Sequence, residues 1–292
     1  MTRTVSSLIG GRGAEGAPGG RLTVANPAHL DEVVAEASLA NAATFVEACG
    51  AAMRAQDAWA SVPAPVRGRA IQQLGRLVEE NKRALATLLT REIGKPFAES
   101  LGEVQEVIDT CTFFLSEGRR LYGQTVPSEL ADKQLFTFRA PVGVSVIITA
   151  GNFPVAVPSW YIVPALLCGN AVVWKPAEYT PATAEAFAQL ILHAGLPEGV
   201  FNMVLVEGPA AFAGLERAMN EGLVDKVGFT GSTDVGRRIG ELCGGTSSRP
   251  ASSSGERTRW WSWPTRTWTS PWRARCSAAS ALPDNGAPRW GR

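Results

Sequence analysis

Apolar residues keep a helical spacing over the first third of this chain. Ser38 to Ala60, Pro65 to Glu80 and Asn81 to Glu92 each read as an amphipathic helix, with Ile71, Leu74, Leu77 and Val78 marking one buried face. A longer helix is predicted from about Pro96 to Leu121, where Leu101, Val104, Val107, Ile108, Cys111 and Leu115 form a stripe best read as core packing. "YGQTVPSE" and "KQLFTFRAP" then alternate as two strands around a polar turn at Leu130 to Lys133, so Tyr122 to Arg139 reads as a hairpin.

Charge is absent from Ala140 to Trp174, a run long enough to raise the question of a membrane span. Pro141, Pro154, Pro158 and Pro164, with Gly143, Gly151 and Gly169, break it repeatedly. Each proline removes a backbone donor that lipid cannot replace, whereas a strand, loop, helix and second strand accommodate them all. From Val142 the order is strand "VGVSVIIT", helix "PSWYIVPALLCG", strand "NAVVWKP", helix "TPATAEAFAQLILHAG", strand "VFNMVLV", helix "PAAFAGLERAMNEG", strand "VDKVGFTG" and helix "DVGRRIGELCG". Alternation of this kind predicts an α/β fold with a parallel, doubly wound sheet, which binds ligands beyond the carboxyl ends of its strands.

Composition narrows the function classes. A net charge of +1 over 292 residues implies no polyanionic partner such as nucleic acid. Residues 1–14 lack the basic-then-apolar order of a secretion signal, and the five cysteines, Cys49, Cys111, Cys168, Cys243 and Cys276, show no metal-ligand spacing. A reducing cytoplasm, with no metal and no membrane, is the expectation. With only His29 and His193, a histidine-based nucleophile relay has little material.

Three segments at predicted strand ends carry candidate chemistry. "FTGSTDVG", Phe229 to Gly236, opens a helix: Gly231 permits a tight turn, Ser232 offers a hydroxyl and an N–H, and the helix start presents unpaired N–H groups to an anion. Its GxxxxG spacing is neither GxGxxG nor a P-loop, and a plain glycine turn with a Ser/Thr cap explains it equally well. "WKPAE" supplies Lys175 and Glu178, a cation and a carboxylate able to bond ribose hydroxyls, or else two solvated surface charges. Glu178 repels a 2′-phosphate and Lys175 attracts one, which favours NAD over NADP while leaving NADP possible. "ITAGNFPVAVPSW" places Asn152 before a stiff Phe-Pro pair, where its amide can donate to a developing oxyanion, or serve as a turn former or helix cap.

Taken together, "GNFPVAVPSW", "PALLCGNAVVWKPAEYTP", "AGLPEGVFNMV" and "VGFTGSTDVGRRI" resemble the NAD(P)-dependent aldehyde dehydrogenases in order and spacing, from about Leu8 to Gly244. The resemblance implies that Ile148, Thr149 and Ala150 line the cofactor and that Lys175 and Glu178 hold its adenosine ribose. Gly208 then approaches the adenine side, Gly231, Ser232 and Val235 meet the pyrophosphate, and Phe229 is a further cofactor-binding residue. Asn152 becomes an oxyanion donor. It also implies a Rossmann-like sheet over 140–245, preceded by an N-terminal helical part over 1–121 and an oligomerisation arm at 122–139. The "NFPVAV" and "WKPAEYTP" segments look most like the semialdehyde-oxidising branch. In that family a cysteine thiolate adds to the aldehyde, hydride passes to the nicotinamide, and a glutamate activates the water that releases the acid.

The family's base lies in an "ELGGK" stretch and its nucleophile in "GQxC", and neither string occurs here. After Gly245 lysine vanishes, arginine dominates the charge and six of the nine tryptophans appear, as in "TRWWSWPTRTW". A nucleic-acid tail and a membrane-interface anchor are two readings of that composition. A third is translation in the wrong frame. Joining the last base of each codon to the first two of the next, synonymous codons for Ala251 to Pro264 can spell "LELGGKNPLVVMA", and continuing to Trp290 gives "DADLDLAVEGALFSGFGTAGQRCTSL". Most first and second bases are fixed by the residues, which leaves little freedom to manufacture the match. The expectation is a one-base deletion near Gly244-Gly245, a non-native disordered tail over 246–292, and no catalytic domain. The glutamate codon then straddles Ser252 and Ser253, and the cysteine codon Gly286 and Ala287. Such a chain binds cofactor without oxidising an aldehyde, and whether it joins into the family's homo-oligomers is left open.

Overall fold

A computed structural model describes residues 2–246 and the backbone of 249–254. Five strands come first: β1 (Arg3–Val5), β2 (Leu8–Ile9), β3 (Arg12–Gly13), β4 (Gly20–Asn26) and β5 (His29–Leu39). Four helices follow, α1 (Ala42–Ala60), α2 (Ala64–Glu80), α3 (Lys82–Ile93) and α4 (Phe97–Glu117). The N-terminal part is therefore helical only from Ala42 onward. Residues 38 and 39, expected to open the first helix, end β5. The start of α1 is fixed by Asn41, whose side chain accepts the Thr44 N–H at 3.0 Å, satisfying a donor that the helix itself cannot. At the other end of this layer, α3 stops at Gly94, in the left-handed conformation at φ 72°, and Lys95-Pro96 leads into α4.

The hairpin is present but short. β6 (Thr125–Val126) and β7 (Leu135–Phe136) pair antiparallel around a turn closed by the Lys133 N–H on the Leu130 carbonyl. Tyr122, Leu130, Phe136 and Phe138 are exposed on it.

The remaining elements alternate: β8 (Val144–Ile148), α5 (Ala156–Leu167), β9 (Ala171–Lys175), α6 (Pro181–Leu192), β10 (Phe201–Met203), α7 (Gly208–Asn220), β11 (Lys226–Gly231) and α8 (Thr233–Gly245), then β12 (Arg249–Ser254). Strands β12-β11-β8-β9-β10 run parallel, in that order, and β2 and β3 extend the β10 edge antiparallel. The sheet is thus mixed rather than wholly parallel. A separate three-stranded sheet has the order β1-β5-β4.

Side chains along a strand alternate between faces, and here both faces are buried, so the uncharged run is what a central strand requires. Ile147, Val172, Trp174 and Phe201 point to one side, into a core completed by α2 to α6. Val144, Val146, Ala171 and Val173 point to the other, where Phe45 of α1, Leu215 of α7 and Ile239 of α8 pack. Trp174 is fully buried, edge-on to Phe187 at 5.9 Å, and its indole N–H donates to Thr149 Oγ1 at 3.0 Å. No helix among the described residues is long and apolar enough to cross a membrane.

The backbone of 249–254, expected to begin a disordered tail, forms β12 in register with β11, from Lys226 opposite Arg249 to Gly231 opposite Ser254. An open edge of β11 offers unpaired N–H and C=O groups that any extended segment can satisfy, whatever its side chains. The "TRWWSWPTRTW" stretch, Cys276 and the remainder of the tail from 255 lie outside the described residues.

Candidate functional site

The carboxyl ends of β8, β9 and β11 border one cleft of about 350 Å³. Ile148, Thr149 and Ala150 come from the end of β8, and Lys175 and Glu178 from the end of β9. Phe229, Gly231 and Ser232 come from β11 and its turn, Gly208 from the start of α7, and Val235 from the first turn of α8. All ten residues chosen from the sequence as cofactor contacts therefore border the same space. Asn152 does not. It lies two residues beyond Ala150, exposed, and its carboxamide has no partner among the described residues.

The cleft also has walls that no local sequence pattern marks. Ala211, Phe212 and Leu215 of α7 face Ile239 of α8 across it, forming an apolar slot, and Tyr179 closes the end near Gly151. Arg238 of α8 lies over the ring of Phe212 of α7, 4.5 Å from its centroid, and so links the two helices. The Tyr179 hydroxyl accepts the Gly151 N–H at 3.2 Å. A Cβ on Gly151 would stand 2.5 Å from the Tyr179 ring, so glycine is required there by close approach.

Gly231 plays a different part from the tight turn expected of it. It ends β11 without a positive φ. A Cβ there would sit 2.6 Å from Phe229 Cζ, and one on Gly236 would sit 3.2 Å from Phe229 Cε1. Both glycines of the GxxxxG spacing make room for one ring, which is 3% exposed and forms the cleft floor. Above it α8 begins with Ser232 as N-cap, whose side chain makes no capping hydrogen bond among the described residues. The N–H groups of Thr233, Asp234 and Val235 precede the first intrahelical bond, from Gly236 to the Ser232 carbonyl, and stay available to an anion. Tyr161 of α5 steadies this turn, its hydroxyl meeting Thr230 Oγ1 at 3.0 Å and the Phe229 carbonyl at 3.4 Å.

Lys175 and Glu178 are paired rather than solvated, with Nζ 2.7 Å from Oε2 and the lysine side chain 8% exposed. Partial burial of Glu178 works to raise its pKa, but the hydrogen bond and charge of Lys175 outweigh it and hold the carboxyl below its ordinary value. A ribose arriving here meets an ionised acceptor whose orientation is already set.

The loop carrying Asn152 is tied down from the α3–α4 connection and from α4 itself. Lys95 Nζ donates to the Asn152 carbonyl at 2.9 Å, stands 3.8 Å from the Phe153 ring centroid, and pairs with Glu103 of α4. Glu103 Oε1 accepts the N–H groups of Val155 at 2.9 Å and Ala156 at 3.3 Å, so it caps α5, a task Asn152 could have had. Glu92 of α3 caps α6 in the same way, through Ala182 at 2.6 Å and Thr183 at 2.8 Å. Nothing in the spacing of the sequence connects these carboxylates to helices so far along the chain.

Among the described residues no cysteine resembles an activated thiol. Burial pushes Cys49 and Cys111 up to about 12 and Cys243 to about 11, and it raises Cys168 as well.

Known proteins share this fold. The chain is 39% identical over 241 residues to an α-ketoglutarate semialdehyde dehydrogenase of Haloferax volcanii, covering 82% of this chain and 49% of the relative. It is 39% identical over 237 residues to an NADP-dependent succinate-semialdehyde dehydrogenase of Escherichia coli, covering 81% and 48%. The crystal structure of an NADP-dependent enzyme from E. coli superposes with a TM-score of 0.82 at 36% identity, over 86% of this chain and 52% of that one. The chain thus spans about half the length of the curated relatives it matches. The sequence profile of the aldehyde dehydrogenase family matches residues 15–255, a span that takes in the cleft, the paired Lys175 and Glu178 and the Asn152 loop, and the chain belongs to that family of NAD(P)-dependent oxidoreductases.

Proposed function

We propose that this chain is a dinucleotide-binding unit of an aldehyde dehydrogenase that converts a semialdehyde to its carboxylate, and that it favours NAD over NADP. The observation that carries the reading is the uncapped start of α8 beside the cleft, where Ser232 and Val235 line the space and three N–H groups await an anion. A doubly wound, Rossmann-like arrangement of β8 to β11 with α5 to α8 fits that role. The residues fit the cofactor group by group: the α8 start suits a diphosphate, the ionised Glu178 a ribose diol, and the apolar slot between α7 and α8 a flat base. When bound, the nicotinamide supplies the acceptor for the electrons leaving the aldehyde. Asn152, unpartnered and exposed beyond β8, is the group left to donate to the aldehyde oxygen as it gains charge. Glu178 favours NAD because its charge opposes a 2′-phosphate, while Lys175 is already engaged. The semialdehydes named for the relatives support that substrate class.

On this reading the family's glutamate and cysteine are encoded one base earlier, across Ser252-Ser253 and Gly286-Ala287. That the family match stops at residue 255, ahead of the Gly286-Ala287 junction, supports it for the cysteine. The raised pKa values of the described thiols support it too. Homogeneous 292-residue protein should then bind NAD saturably in a calorimeter and form no NADH above background with succinic semialdehyde. Robust NADH formation would overturn the silent-chain part. Gene bases without a cysteine codon straddling Gly286-Ala287 would remove its cause.

A further inference from the structure

We propose that Lys95 and Glu103 act together as positioning residues for Asn152, holding its loop in one conformation so that the carboxamide is aimed before substrate arrives. The inference rests on the reading of Asn152 as the oxyanion donor. Four contacts converge on a five-residue segment. Lys95 Nζ donates to the Asn152 carbonyl at 2.9 Å and stands 3.8 Å from the Phe153 ring centroid. Glu103 Oε1 takes the Val155 and Ala156 N–H groups, and its other oxygen pairs with Lys95.

The two charges are more than fold glue at this place. Glu103 has no exposed side-chain surface and Lys95 is 10% exposed, so each ion depends on the other and on the loop for its hydrogen bonds. Interactions among largely desolvated charged groups are strong and directional, which suits them to fixing a loop that no strand or helix contains. Gly94 permits the arrangement: its left-handed φ of 72° turns the chain so that Lys95 leaves α3 toward α5. A carboxamide that must donate to an oxyanion loses effect if its loop samples several positions, because preorganisation is what makes such a donor useful.

The test follows the Asn152 side-chain amide directly, in the 292-residue chain labelled with 15N at asparagine and assigned by loss of its signal in Asn152→Ala. In Lys95→Met that signal should shift or broaden, and amide hydrogen exchange over residues 152–156 should rise about ten-fold, because local openings become easier when their closing contacts are removed. Lys95→Arg should restore a single sharp signal. NAD affinity, read in the same samples, should stay within about two-fold, since the α8 start is untouched. If Lys95→Met unfolds because Glu103 is left unpaired, the double variant Lys95→Met/Glu103→Gln removes both charges and carries the same expectation. An Asn152 signal and exchange pattern unchanged in the folded variants would overturn the proposal. Should the unaltered chain bind no dinucleotide, the cofactor reading fails while the Asn152 signal still judges the clamp.

Discussion

Gly231→Ala probes how the cleft floor is built. The added Cβ would stand 2.6 Å from Phe229 Cζ and 3.1 Å from Cε2, so the ring must retreat by about 0.8 Å to reach ordinary contact. It has little room to do so, being 3% exposed and packed in the core formed with Val146, Ile239 and Cys243. Overpacking of this kind costs about 1–3 kcal/mol. Two outlets are open to the ring. If the ring stays in the core, urea unfolding should show the loss. If it swings up into the cleft, the core loses its packing and NAD affinity falls as well, about ten-fold for each 1.4 kcal/mol of obstruction. Urea titration of the variant should therefore show a stability loss of about 1–3 kcal/mol, and calorimetry on the same sample reports whether the ring also obstructs NAD. Phe229→Leu in the Gly231→Ala background replaces the offending ring and should recover part of the stability loss. Gly236→Ala, whose Cβ would lie at the milder 3.2 Å, should cost less. A Gly231→Ala protein with unchanged urea midpoint and unchanged NAD affinity would refute the packing account of both glycines.

Glu178→Gln should release Lys175 from its ion pair and remove the charge opposing a 2′-phosphate, shifting the ratio of NADP to NAD affinity upward by about ten-fold, as competition calorimetry would show; an unchanged ratio would place discrimination elsewhere. Burial raises the pKa of Glu92 against the pull of its hydrogen bonds. With a folded pKa above the unfolded one, its contribution to stability is complete below the ordinary carboxylate range and is lost as pH rises through the raised value. Glu92→Gln should therefore flatten the stability curve over that window, and its cost of about 1–3 kcal/mol, from an amide oxygen and an NH2 replacing two acceptors for the Ala182 and Thr183 N–H groups, should be largest at the acidic end. Identical pH slopes in chemical denaturation of the two proteins would contradict the assignment.

The parts legible in the sequence share a physical reason. Strands β8 and β9 are buried on both faces and so appear as uncharged runs, and Gly151, Pro154 and Gly169 between them mark loops, while Pro158 and Pro164 fall within α5. The three functional segments were legible because each lies at a strand end, where chain direction changes and local chemistry is exposed. Residues 3–39 were not. Strands β1 to β3 are two or three residues long, too short for any alternation to register, and β5 carries "DEVVAEAS", whose alanines and glutamates favour helix as readily as strand. Its pairing with β4 also shifts register around Ala25, which blurs the period further. In the cleft, Ala211, Leu215 and Ile239 are indistinguishable from core residues by spacing, because a slot for a flat apolar group and a core present the same surface. Lys95 and Glu103 were invisible for another reason: they meet the Asn152 loop across 57 and 52 residues of chain, and no local pattern encodes such a contact.

The most direct measurement is a structure of the 292-residue chain with NAD bound. Expected is the diphosphate on the N–H groups at the start of α8, with the adenine between Phe212 and Ile239 and the ribose against Glu178. A dinucleotide seated elsewhere, or soaked crystals of folded protein that admit none at saturating concentration, would contradict the cleft as the cofactor site.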